Sequence, residues 1–173
     1  NGKKNVIAVK VDNSLQPNSR YYSGSGIYRN VWLVTTNKIA VDHWGTFVTT
    51  PVINNKKAVV EVETRVRNNT GQSAQAFIHT KIYNAEGKLV ISKKSKALSL
   101  TDSVTASIEN INLSQPHLWS VEDPYLYKVV TEVSVNNKIT DGYETNLGIR
   151  YFNFDAAKGF SLNGKPMKIK GVC

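Results

Sequence analysis

The amino-acid sequence predicts an all-β fold, an antiparallel sandwich, and three observations carry that reading. Apolar and polar residues alternate through one short run after another between Val60 and Asn146, the period-2 pattern of strands with one face buried. Turn signals such as Asn68-Asn69-Thr70-Gly71, Asn84-Ala85-Glu86-Gly87 and Asn136-Asn137 punctuate these runs about every 8–12 residues, a spacing typical of sandwich strands. No window longer than about ten residues shows the 3.6-residue period of an amphipathic helix.

Taken in order, Asn5 to Asn13 reads as a strand, with Val6, Ala8 and the flanking Ile7, Val9 and Val11 supplying its apolar positions. Ser14 to Ser25 reads as a polar loop around Pro17. Gly24 and Gly26 then allow a tight turn, because glycine reaches positive φ without a Cβ clash. A second strand, Tyr28 to Thr36, is expected after it, with Ile27, Val31 and Leu33 on one face and Tyr28, Asn30 and Trp32 on the other. One hairpin cannot bury enough surface to stand alone, so this N-terminal β segment is incomplete by itself.

The sandwich proper is easier to read. Val60, Val62, Thr64 and Val66 alternate with Glu61, Glu63, Arg65 and Arg67. Ala76, Ile78, Thr80 and Ile82 alternate with Phe77, His79, Lys81 and Tyr83, and the chain turns back into Lys88 to Ser92. Val104, Ala106 and Ile108 mark another strand. Tyr127, Val129, Thr131, Val133 and Val135 then pair with Ile139 to Asn146 across Asn136-Asn137. Near the end, Asn163-Gly164 suits a type I′ turn; Phe160 and Leu162 before it, with Met167 and Ile169 after it, predict a C-terminal β-hairpin. The sequence stops two residues past Gly171, where a new element would begin, and reads as a piece of a longer polypeptide.

Composition excludes several classes. Of 173 residues, 40% are hydrophobic, sufficient for a sandwich core. No run of about 18 apolar residues predicts a membrane-spanning helix. The N-terminal residues do not resemble a signal peptide; a periplasmic or secreted location is compatible with the sequence but not dictated by it. The net charge of +9 invites a nucleic-acid reading, yet the lysines are scattered and lack the interleaved aromatics of a base-stacking platform. They read instead as solvated edges that discourage strand pairing. The lone Cys173 can form no internal disulfide.

The chemistry-bearing residues show no catalytic or metal-binding pattern, and no cofactor is implied. Glu61 and Glu63 share a strand face with Arg65 and Arg67, a solvated arrangement. Glu122-Asp123 precedes Pro124 in a turn, where an acid commonly bonds its own backbone. His43, His79 and His117 have no ligand-like spacing. Asn68-Asn69-Thr70 and Asn112-Leu113-Ser114 fit a glycosylation sequon that is common by chance. Trp119 and Tyr127 admit two readings, sandwich packing or stacking against a sugar, of which packing is the simpler.

Three segments together carry a resemblance. They are Gly24-Ser25-Gly26-Ile27-Tyr28-Arg29-Asn30-Val31-Trp32-Leu33, then Leu118-Trp119-Ser120-Val121-Glu122-Asp123-Pro124-Tyr125-Leu126-Tyr127, and finally Gly148-Ile149-Arg150 with Phe160-Ser161-Leu162-Asn163-Gly164-Lys165-Pro166 and Gly171. In this order the chain resembles glycoside hydrolase family 2, the family of β-galactosidases, β-glucuronidases and β-mannosidases; it departs at Val121, where the family usually has proline. The resemblance implies three parts. Residues 1–36 would be the end of a sugar-binding-like jelly-roll domain. Residues 37–148 would be an immunoglobulin-like β-sandwich, and residues 149–173 a ribbon entering a catalytic barrel beyond this sequence. It implies a parent that cleaves terminal β-linked sugars with retention, most readily a β-galactosidase, with both catalytic glutamates in the barrel. The partners implied are the other domains of the parent and its oligosaccharide substrate, with no nucleic acid. Arg20, Tyr21 and Tyr22 would lie in a loop able to approach the barrel mouth and touch substrate. Arg29 and Arg150 would be inter-domain fasteners, with Trp119 and Tyr127 in the sandwich framework. A stand-alone carbohydrate-binding or adhesion module is the alternative.

Overall fold

A computed structural model describes residue 4 and residues 6–14, 25–54, 56–101 and 103–171. The chain divides into two units, Asn1–Thr35 and Thr36–Cys173. In the first unit the described residues form neither strand nor helix. The predicted strands Asn5–Asn13 and Tyr28–Thr36 are therefore not formed among them: the backbone lacks a ladder partner, and Ile7, Leu33 and Trp32 stay exposed. Period-2 alternation creates a strand only where a neighbouring backbone accepts and donates its hydrogen bonds.

The second unit is all-β. Its strands are β1 (Ile39–Ile53), β2 (Lys57–Asn68), β3 (Ala74–Tyr83), β4 (Leu89–Lys94), β5 (Leu98–Leu100), β6 (Val104–Ser114), β7 (Tyr127–Val135), β8 (Lys138–Leu147), β9 (Phe152–Asp155), β10 (Gly159–Leu162) and β11 (Lys165–Pro166). One sheet runs β1-β2-β6, a second runs β4-β3-β7-β8 with β5 also on β3, and a third is the ribbon β11-β10-β9. Every pairing is antiparallel. Pairing β2 with β6 and β3 with β7 splits sequential strands between facing sheets, the Greek-key pattern of an immunoglobulin-like sandwich.

The core follows the predicted alternation. Val60, Val62 and Val66 of β2 face Ile78 and Ile82 of β3 and Val129 and Val133 of β7, all buried. Burial of such a side chain stabilises by about 1.5–3 kcal/mol, so the interdigitated layer dominates any single polar contact. It forms two apolar clusters. Along each of the three central strands a single buried threonine lies between the members of one cluster and those of the other: Thr64, Thr80 and Thr131. Thr80 sits directly opposite Thr131, and Thr46 opposite Thr64. The hydroxyls of Thr46, Thr80 and Thr131 are buried without a hydrogen-bond partner.

Polar contacts close the open sides of the sandwich. Lys93 Nζ donates to the Asn110 carbonyl (2.9 Å) and pairs with Glu109 (2.9 Å), joining β4 to β6. On the opposite side the Val41 amide donates to Asp141 Oδ2 at 2.9 Å, joining β1 to β8.

Three features depart from the sequence reading. First, residues 39–53 form the 15-residue β1 although their alternation breaks midway. Between the Val41–Val66 and Thr46–Thr64 pairs, residues 42–45 bulge outward opposite Arg65, with Trp44 at a left-handed φ of 51°. Second, β6 exists as predicted, but Val104 and Ile108 face solvent; Ile111 and Leu113 are its buried apolar residues. Third, the C-terminal hairpin is the outer part of a three-stranded ribbon, because Phe152–Asp155 pairs with β10.

Candidate functional site

The hairpin turn Asn163-Gly164 has φ of 50° and 77°, both positive as a type I′ turn requires. That geometry leaves the Asn163 side chain free to reach other segments. Its Oδ1 accepts from the Tyr151 amide (3.1 Å), its own amide donates to the Tyr151 carbonyl (2.8 Å), and its Nδ2 donates to the Trp119 carbonyl (3.0 Å). The Trp119 amide in turn donates to the Ile149 carbonyl at 2.8 Å. One asparagine thus ties the ribbon to the strand-leaving segment 148–151 and to the loop before β7.

The Trp119 ring packs on this junction. A Cβ at Gly148 would lie 3.1 Å from the indole Cγ and Cδ1, so a larger residue there would press the ring back by a few tenths of an ångström. The Arg150 guanidinium lies 5.1 Å from the ring centre and donates to the Gly148 carbonyl at 3.1 Å. An exposed cation–π contact contributes about 0.5–1 kcal/mol, while each Asn163 hydrogen bond contributes about 1 kcal/mol. The asparagine is therefore the stronger fastening.

Beyond Trp119, Phe152, Phe154 and Phe160 form an aromatic cluster with ring-centre distances of 5.0–6.4 Å. With Leu162 and Met167 they line an apolar pocket of about 370 Å³. Phe152 and Phe154 are 62% and 68% exposed. The cluster therefore leaves contiguous aromatic surface uncovered on the ribbon.

At the start of β7, Tyr127 is only 5% exposed. Its phenol oxygen accepts from the His117 amide at 2.8 Å, the tyrosine-corner arrangement of sandwich folds. Burial pushes the Tyr127 phenol above its ordinary range, opposed by that hydrogen bond. His117 stacks on Tyr125, with ring centres 4.0 Å apart, and its Nε2 meets Asp123 Oδ2 at 2.5 Å. The Asp123 carboxylate is thus bound to an imidazole rather than closing a turn on its own backbone, a pairing hidden by six residues of separation.

Arg29 lies in the first unit, exposed, 5.4 Å from the Tyr28 ring centre. Arg20, Tyr21 and Tyr22 fall outside the described residues. Among the described residues, no three His, Cys, Asp or Glu side chains converge as a metal site, and no helix is long and apolar enough to cross a membrane. Asn68 of the first sequon is buried and uses its amide internally, donating to the Gln72 carbonyl at 2.8 Å.

Comparison with known proteins decides the family. The model for glycosyl hydrolases family 2 matches residues 39–150, β1 through the Arg150 junction. The chain belongs to this family. Among its family 2 relatives, beta-galactosidase BoGH2A of Bacteroides ovatus is 44% identical over 98% of this chain and 20% of its own length. A beta-glucuronidase of Formosa agariphila is 31% identical, over 98% of this chain and 19% of its own length. The solved structure of a Bacteroides uniformis beta-glucuronidase superposes with a TM-score of 0.86 at 30% identity, covering 94% of this chain and 21% of that one. The chain therefore spans about a fifth of the length of the family 2 proteins it matches.

Proposed function

We propose that this chain is a non-catalytic, interior part of a longer retaining glycosidase that cleaves terminal β-linked sugars, most readily a β-galactosidase. On this reading residues 1–36 end a sugar-binding-like domain, residues 37–148 are the supporting sandwich, and residues 149–173 are the ribbon that meets the catalytic domain. Arg29 and Arg150 act as fasteners toward neighbouring domains. Arg20, Tyr21 and Tyr22 belong to a loop that reaches toward the substrate.

The supporting role rests on the fifth of its relatives' length that the chain covers, and it agrees with how several of its carboxylates are held. Retaining hydrolysis needs two carboxyl groups about 5–5.5 Å apart, free to flank the sugar bond. Here Glu63 holds Arg65, Asp42 holds Arg67, Glu132 holds Lys81 and Glu109 holds Lys93. Asp141 and Asp155 accept from backbone amides. Preference for galactose rests on the 44% identity to a beta-galactosidase against 34% to a putative beta-glucuronidase and 31% to another beta-glucuronidase, both of Formosa agariphila.

Two assays test this reading. The isolated chain should hydrolyse neither 4-nitrophenyl β-galactoside nor the matching glucuronide, and measurable turnover would refute the supporting role. The full-length enzyme should favour the galactoside in kcat/KM; preference for the glucuronide would overturn the assignment of sugar.

A further inference from the structure

The outer face of the second sheet carries a cleft of about 810 Å³, within the size range of small-molecule sites, about 300–1,000 Å³. Its floor is a cross-strand row, Tyr83 beside Lys128 beside Asn146. A second row adds Val130 beside Glu144. The rim comes from the β3–β4 turn and from Pro124 and Leu126 of the loop before β7.

The two parts of the rim are bound to each other. The Tyr125 hydroxyl accepts from the Ala85 amide at 3.2 Å and donates to Glu86 at 3.4 Å. Within the turn, Asn84 Oδ1 accepts from the Lys88 amide at 2.7 Å. The cleft is therefore shaped before any ligand arrives, which lowers the ordering cost of binding.

Its lining selects a class of ligand. The Tyr83 phenol oxygen and the Asn146 amide have no hydrogen-bond partner among the described residues, so both are available to hydroxyl groups. Leu126, 42% exposed, joins Pro124, Val130 and the Tyr83 side chain in offering apolar surface between them. The charges are already matched, Lys128 with Glu144 at 3.0 Å and Asp123 with His117. The lining carries one lysine, Lys128, against the carboxylates of Glu144 and Asp123, so it offers no excess of positive charge to favour a phosphate, a sulfate or a uronate. Hydroxyl partners alternating with apolar surface suit a pyranose, which has hydroxyl edges and C–H faces. The open form on a sheet face admits a chain of sugars rather than one enclosed ring.

We propose that this cleft binds a neutral hexopyranose oligosaccharide, holding it without cleaving it. The proposal goes beyond the role in a longer glycosidase and stands or falls separately from it. The test is titration of the ¹⁵N-labelled chain with cellotetraose and β-1,4-galactotetraose, using tetragalacturonate as the charged control. Saturable shifts should centre on Tyr83, Lys128 and Asn146, with Kd on the order of 1 mM. Tyr83→Phe keeps the ring and Asn146→Ala alters an exposed side chain, so both should fold, as their unshifted spectra will verify. Each should weaken binding about fivefold to tenfold, the effect of one lost hydrogen bond. Absence of saturation by either neutral sugar, shifts centred elsewhere, or tighter binding of tetragalacturonate would overturn the proposal. So would self-association through this face, seen in sedimentation and abolished by Leu126→Asp.

Discussion

Asn163 occupies a position where two demands coincide. Its backbone must adopt φ of 50°, which asparagine tolerates better than most residues, and its side chain must join Tyr151 to Trp119. Alanine would strain the turn and remove both side-chain bonds. We expect Asn163→Ala to lower stability by about 2–3 kcal/mol, from two lost hydrogen bonds and the turn strain; urea unfolding followed by Trp fluorescence measures it. Asn163→Gly should recover the part due to the turn. Tyr127 gives a pH signature. Its phenol is held above the ordinary range chiefly by burial, so the folded chain keeps this proton longer than the unfolded one. The associated stability is intact below about pH 10, the unfolded value, and is lost as pH climbs through the higher folded value. Tyr127→Phe cannot ionise and should show a shallower alkaline decline in chemical denaturation, with lower stability at neutral pH because the His117 amide loses its acceptor.

At the scale of elements, β1 and β8 make contrasting demands on glycine. Gly45 closes the β1 bulge, where an added Cβ would fall 2.8 Å from the Arg65 carbonyl and from backbone atoms of Asp42. Backbone cannot yield as a flexible side chain can, so Gly45→Ala should cost about 2–4 kcal/mol. Gly142 in β8 has open space around the same added atom. Gly142→Ala should be neutral or stabilising by about 0.5 kcal/mol, through reduced freedom of the unfolded chain. Thermal melts of the two variants separate these outcomes, and equal effects would contradict the bulge geometry. Trp44, 82% exposed at φ of 51°, stacks on His43 with ring centres 4.7 Å apart, which offsets part of the cost of its backbone conformation.

For the molecule as a whole, a packed sandwich is joined to a ribbon whose aromatic face is uncovered. The core excludes solvent from Val60, Ile78, Val129 and their neighbours, whereas Phe152 and Phe154 remain open to it. The isolated chain should therefore bind a hydrophobic dye such as anilinonaphthalene sulfonate while fully folded. The double variant Phe152→Ser, Phe154→Ser should lower that fluorescence, with little change in melting of the sandwich; the remainder belongs to exposed residues of the first unit such as Ile7, Trp32 and Leu33. Unchanged dye binding would place the exposed apolar surface elsewhere. In the longer glycosidase the same face should be protected, because the proposed neighbour covers it.

Local pattern was enough to determine the all-β class, most sandwich strands and the buried faces of β2, β3 and β7, since those depend on alternation and on turns such as Asn136-Asn137 and Asn163-Gly164. The paired motifs around Trp119, Gly148 and Arg150 were equally legible, and with them the family. Only tertiary structure decided the rest. Strand β1 was hidden because its bulge breaks alternation, and β6 turned its most apolar early residues outward because its register on β2 directs Ile111 and Leu113 inward. Asn5–Asn13 and Tyr28–Thr36 carry the strand pattern yet form no ladder among the described residues. Pairing and register are long-range properties: a backbone hydrogen bond needs a partner that no local window contains.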